Sequence, residues 1–186
     1  GELETYLYVT RQDLLDRIKT CWSSLFTPRA LFYRFEKKMH RQRVSVAVVV
    51  QKMVASEVSG ITFTAHPVTR DRQQMVIEAG WGLGEAIVSG SITPDTYIFD
   101  RAVDAILDIN VSEQRNMIVR KPKAGTKTTA VPSAKRAKQK LTGKQIMEVA
   151  KTCAAIEKHY QAPQDIEWAF AKNKLYITQT RPITTL

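Results

Sequence analysis

Residues 165–182 read DIEWAFAKNKLYITQTRP. Two short runs of alternating polar and apolar residues flank a polar centre, which is the pattern of a β-hairpin with one buried face. The strands are expected over residues 165–171 and 175–180. Successive strand side chains point to opposite faces. Asp165 and Glu167 therefore share a face on the first strand, and Gln179 and Arg181 share one on the second. The turn decides whether the two sets meet. A two-residue turn, Lys172-Asn173, puts Glu167 opposite Thr178 and sends Gln179 to the other face. A three-residue turn, Lys172-Asn173-Lys174, pairs Glu167 with Gln179 and Asp165 with Arg181. Such turns need a left-handed residue near their end, which Asn173 or Lys174 supplies, and this is the turn expected here. It gathers two carboxylates and an amide oxygen, hard ligands that suit Mg²⁺, beside a guanidinium able to meet a phosphate. The plainer alternative is a polar hairpin face with an ordinary cross-strand ion pair.

Upstream of the hairpin, Thr142 is placed to cap a helix running to about residue 160, with Ile146, Val149, Cys153 and Ile156 on one stripe. Residues 121–140, KPKAGTKTTAVPSAKRAKQK, lack hydrophobic periodicity and are expected to form a mobile loop. Strands are expected over residues 61–65, 75–79, 96–100, 105–111 and 116–120. Residues 57–60 are expected as a turn. A long β-branched strand is expected over residues 43–54, RVSVAVVVQKMV. Further back, Leu14, Leu15, Ile18, Trp22, Leu25 and Phe26 recur at helical spacing. Thr27-Pro28 ends that helix and starts the next, Thr as cap and Pro at the first position. Helix pair, strands, helix and hairpin, joined by short connections, make an α+β fold with a mixed, mainly antiparallel sheet and flanking helices.

The glycine-rich stretch 80–90, GWGLGEAIVSG, is not a phosphate-binding P-loop, because it lacks the Gly-Lys-Ser/Thr ending. Its glycines most simply allow a tight chain path. Glu85 and Asp95 nearby are candidates for outer-sphere carboxylates. His40, His66 and His159 are scattered without metal-ligand spacing.

Over 186 residues, apolar content is 44% and charged content 25%, an ordinary globular balance. No apolar run approaches the roughly 20 residues of a membrane span. Cys21 and Cys153 make neither a disulfide framework nor a metal site, and reduced thiols fit a cytoplasmic protein. The net charge of +10 is concentrated: residues 120–151 hold ten Lys or Arg against one acid, Glu148, and so carry +9 of it. A run of this kind suggests nonspecific phosphate-backbone attachment. The mobile-loop stretch has no aromatic side chain for base stacking, so a nucleic-acid-binding module is the lesser reading.

Four separated stretches resemble one family. DIEWAFAKNKLYITQTRP is similar to the closing motif of the pyruvate phosphate dikinase and phosphoenolpyruvate synthase family. VQKMVASEVSGITFTAHPVT, GWGLGEAIVSGSITPDTYIFD and SLFTPRALFYR resemble three further family stretches in the same order. The resemblance implies an ATP-grasp fold, with residues 1–186 its C-terminal part and the first jaw absent. GELETYLYV is similar to the residues that follow the first jaw's glycine-rich loop, although Tyr8 departs from the usual Asn. It further implies ATP as substrate, with Mg²⁺ held by Glu167 and Gln179, Asp165 supporting them, and Arg181 on the terminal phosphates as the catalytic residue. Gln51, Met53 and Val54 are implied to border adenine, while Met53 and Val54 read equally well as core residues. The implied reaction passes phosphate from ATP to a phosphohistidine domain and on to pyruvate. Rifampicin phosphotransferases share the nucleotide domain and are the implied alternative.

Overall fold

The computed structural model describes residues 3–39 and 41–184; His40 lies outside them. The chain divides into two compact units: residues 1–53 with 120–127, and residues 54–119 with 128–186.

The first unit holds α1 (Leu14–Ser23), a 3₁₀ turn over Ser24–Phe26, and α2 (Pro28–Glu36). Thr27 caps α2 through its hydroxyl, which accepts from the Ala30 amide, and Pro28 takes the first helical position. The long strand expected over residues 43–54 is absent. None of those residues lies in a ladder, and Val49 and Val50 are 81% and 63% exposed. β-Branched side chains favour extended backbone, but a strand exists only where a neighbour completes its hydrogen bonds, and no described segment does so here.

The second unit is built on a six-stranded sheet. Its strands are β1 (Val58–Phe63), β2 (Gln74–Trp81), β3 (Asp95–Asp100), β4 (Ala105–Asn110), β7 (Gln164–Ala171) and β8 (Lys174–Pro182). The order is β4-β3-β2-β1-β7-β8, and every neighbouring pair is antiparallel. Of the expected turn at residues 57–60, residues 58–60 are instead the start of β1, which lies at the sheet's centre. A short helix α3 (Glu85–Val88) follows the glycine-rich turn, and β5 (Asn116–Arg120) pairs with β6 (Thr126–Ala130) in a separate two-stranded ladder.

Helix α5 (Gly143–Tyr160) covers one face of the sheet. Thr142 and Gln145 close a reciprocal capping box at its start. Ile146, Val149, Ala150 and Cys153 pack with Met75, Ile77, Tyr97, Phe99, Ile166, Trp168 and Phe170 as one buried cluster. Every second residue of β2, β3 and β7 thus faces α5, and the intervening residues face the other way. Gly60 lets this layer close. A Cβ there would stand 2.1 Å from both the Glu78 carbonyl oxygen and Trp168 Cζ2.

The segment 121–140, expected as a loop throughout, contains β6 and a short helix α4 (Ser133–Arg136). Its last residue is not solvated. Lys140 Nζ lies 2.6 Å from Asp95 Oδ1 with both side chains fully buried. Asp95 also accepts from the Ser112 amide, the Lys140 amide and the Tyr97 hydroxyl. The side chain of Gln114 stands in for a strand beside Trp81, its oxygen accepting from the Trp81 amide and its nitrogen donating to the Trp81 carbonyl.

Candidate nucleotide-phosphate site

The hairpin β7–β8 meets the expected pairing by a different route. Ala171 pairs with Lys174, so the turn is the two-residue Lys172-Asn173. Both turn residues have positive φ, 51° and 58°, the mirror-image turn whose twist matches the strands. With no other change this turn would leave Glu167 opposite Thr178. A bulge intervenes: Trp168 pairs with Ile177 but Glu167 pairs with Gln179, so Thr178 is the extra residue. One inserted residue shifts all that follows by one position. Gln179 and Arg181 thereby come opposite Glu167 and Asp165. The three-residue turn is corrected, and the register it was invoked to explain is present.

The contacts follow from that register. Gln179 Nε2 donates to Glu167 Oε1 at 3.1 Å. Arg181 Nη2 donates to Asp165 Oδ2 at 3.0 Å and stands 3.6 Å from Glu167 Oε1. Burial pushes the Glu167 carboxyl above the ordinary carboxylate range, Arg181 pulls it back, and Asp165 pushes it up again. Asp165 Oδ1 is buried and has no hydrogen-bond partner among the described residues. A cavity of about 330 Å³ opens beside it, lined by Phe63, Asp165, Arg181, Pro182, Ile183 and Thr184. The unpaired Asp165 oxygen and the Glu167 carboxylate beside it offer acceptors to a ligand. The donor set fits a hard divalent cation.

The other face of the sheet is taken by α5, so the site occupies the face α5 leaves open. The glycine-rich turn closes one end of that face. Ser59 Oγ donates to the Gly82 carbonyl at 2.8 Å, and Gly82 has φ of +88° with its Cβ direction blocked by the Ile118 carbonyl. Asp95 is spent on Lys140 inside the core and is not a phosphate-side carboxylate; Glu85 is exposed at the start of α3. Gln51 and Met53 belong to the first unit and Val54 opens the second. Sequence reasoning missed Glu78, which β1 places in line with Glu167. Alternation along residues 74–81 put it on a polar face, but only the strand order sets it beside the hairpin.

The family model for the pyruvate phosphate dikinase AMP/ATP-binding domain matches residues 1–186. The chain belongs to this family. It is 48% identical over 195 residues to phosphoenolpyruvate synthase of Pyrococcus furiosus, covering all of this chain and 24% of that protein. It is 46% identical to a probable phosphoenolpyruvate synthase of Archaeoglobus fulgidus, covering 25% of it. It is 42% identical to a rifampicin phosphotransferase of Bacillus subtilis, covering 21% of it. The chain thus spans about a quarter of the length of the curated relatives it matches. Among the described residues, no helix of this AMP/ATP-binding domain is long and apolar enough to cross a membrane.

Proposed function

We propose that this chain is the C-terminal part of an ATP-grasp domain in a cytoplasmic ATP-dependent phosphotransferase of the phosphoenolpyruvate synthase type. The overall reaction converts ATP, pyruvate and water to phosphoenolpyruvate, AMP and phosphate, through a phosphohistidine carried on another domain. The observation that carries this reading is the β7–β8 register, which sets Glu167 against Gln179 and Asp165 against Arg181 on one open face. Glu167 and the Gln179 amide would hold Mg²⁺, and Asp165 Oδ1 is a free acceptor beside them. The bound ion would supply charge neutralisation for the ATP phosphates. Arg181, already aimed at the carboxylates, binds the phosphate chain and stabilises the charge that grows during transfer. The sheet supplies position and charge but no nucleophile, so the phosphate acceptor comes from elsewhere in the protein.

Isothermal titration of the full-length protein with Mg-ATP tests it: binding is expected to require Mg²⁺ and to be lost in Glu167→Ala. Mg-independent binding, or binding unchanged in that variant, refutes it. A second reading, rifampicin as final acceptor, rests on the 42% identity to the Bacillus subtilis protein. Incubating the enzyme with ATP and either pyruvate or rifampicin separates the two by product. Nucleic-acid attachment through residues 120–151 stays the lesser reading: Lys140 is sealed inside the core, and the other cations of the segment, most of them exposed, offer charge alone.

A further inference from the structure

The line of side chains holding Gln179 and Glu167 continues across the sheet. Ile61 on β1 pairs with Glu167 on one side and Glu78 on the other, and Glu78 pairs with Thr96 of β3. Residues directly opposite share a face. Gln179, Glu167, Ile61, Glu78 and Thr96 therefore form one row on the face away from α5. Two strand spacings, about 10 Å, separate Glu167 from Glu78.

Glu78 is half-buried. Burial pushes its carboxyl above the ordinary range. Among the described residues no side chain donates to it or pairs with it. The other dry carboxylates of this unit have partners: Asp95 has Lys140, Glu157 has Arg101 and Asp165 has Arg181. An unpartnered carboxylate in a half-dry setting costs stability. Its neighbours in the row, Ile61 and Thr96, gain nothing from it, so its use lies with a ligand.

We infer that Glu78 is a nucleotide-binding residue whose carboxylate accepts hydrogen bonds from the sugar hydroxyls of the bound ribonucleotide. The inference rests on the Mg-ATP reading above. A carboxylate needs donors. The phosphates of ATP are acceptors and repel it, which leaves the sugar hydroxyls and the adenine amine. With the phosphates held at Glu167, Gln179 and Arg181, the sugar is the first donor group along the nucleotide. Two strand spacings match the reach from metal-gripped phosphates to the sugar of an extended nucleoside triphosphate. A carboxylate meets a vicinal diol with one oxygen per hydroxyl, so the residue selects ribose over deoxyribose.

Titration of the full-length protein with Mg²⁺ and ATP, 2′-deoxy-ATP or 3′-deoxy-ATP tests this. The native protein is expected to bind the deoxy analogues about tenfold or more weakly, the worth of a hydrogen bond to a charged group. In Glu78→Leu, ATP is expected to fall to the level of the analogues and the discrimination to vanish. The same variant is expected to unfold at a higher urea concentration, because an unsatisfied carboxylate has been removed; a merely structural role predicts the reverse. Equal binding of ATP and both analogues by the native protein overturns the inference, with no variant needed. So does a variant that weakens all three nucleotides equally. A native protein that fails to bind Mg-ATP at all overturns the nucleotide reading itself, and this inference with it.

Discussion

Replacing Lys140 by Met removes the ammonium from a site that water does not reach. Lys140 Nζ sits 2.6 Å from Asp95 Oδ1, and neither side chain has any exposed surface. The Lys140 ammonium also donates to the Ser112 carbonyl. After substitution the Asp95 carboxylate keeps three donors: the Ser112 amide at 2.9 Å, the Lys140 amide at 2.9 Å and the Tyr97 hydroxyl at 2.8 Å. These soften the loss but leave a buried negative charge without a counter-charge. Breaking a buried pair in this way costs about 3–5 kcal/mol, and the remaining donors argue for the lower end. For a chain of this size each kcal/mol moves the melting temperature by roughly 2–4 °C, so a drop of roughly 6–12 °C is expected. A thermal melt reads that shift and urea unfolding the free-energy loss, both followed by tryptophan fluorescence with Trp168, 1% exposed, as the core reporter. The midpoint should fall with the slope unchanged. Lys151→Met is the control: its partner Asp104 is 3.7 Å away and both side chains are 64% exposed, so the loss should stay below about 1 kcal/mol. A Lys140→Met loss no larger than the control's would refute the claim that this lysine is a core residue.

Four further outcomes are expected. Gly60→Ala drives a methyl group to within 2.1 Å of the Glu78 carbonyl oxygen and of the Trp168 ring; a loss of about 3 kcal/mol or more, or no folded protein, is expected on urea titration. Burial pushes the Cys153 thiol up to about 12, against 9.0 for a free thiol. The native state then keeps a proton that the unfolded chain releases, so the Cys153 contribution to stability declines as pH rises from about 9 toward 12. A thiol reagent should label half-buried Cys21 in the native protein and reach Cys153 only at the rate of unfolding; rapid native labelling of both would contradict this. Glu167, held above the ordinary carboxylate range chiefly by burial, takes up its proton at a higher pH when folded than when unfolded. Cation binding draws that proton off, so Mg-ATP affinity should weaken as pH falls toward the raised value. In Glu167→Gln the affinity should be lower and its pH dependence flatter, as read by calorimetry.

The candidate site was legible in outline because its four residues lie on one hairpin. Alternation assigned Asp165 and Glu167 to one face and Gln179 and Arg181 to another, and only the relative register was open. The turn itself misled. Lys172-Asn173 is a two-residue turn, and the Thr178 bulge supplies the shift that a third turn residue would have given. A bulge leaves no compositional mark in LYITQTRP, since any residue can be the extra one. Glu78 was illegible for a different reason. It lies 89 positions before Glu167, and only the order β2-β1-β7 makes them neighbours in a row.

Local chemistry determined much of this chain from sequence alone. The Thr27-Pro28 helix start, the Thr142 cap with its buried stripe and the hairpin strands depend on neighbours within a few residues, and so does the motif that assigns the family. Tertiary structure alone decided whether β-branched residues 43–54 found a partner, whether Lys140 stayed in water or joined Asp95, and which carboxylates share the open face. Those outcomes depend on hydrogen-bond partners and dielectric surroundings brought together from distant positions. Periodicity and composition describe a residue's preference, but the packed sheet sets what it meets.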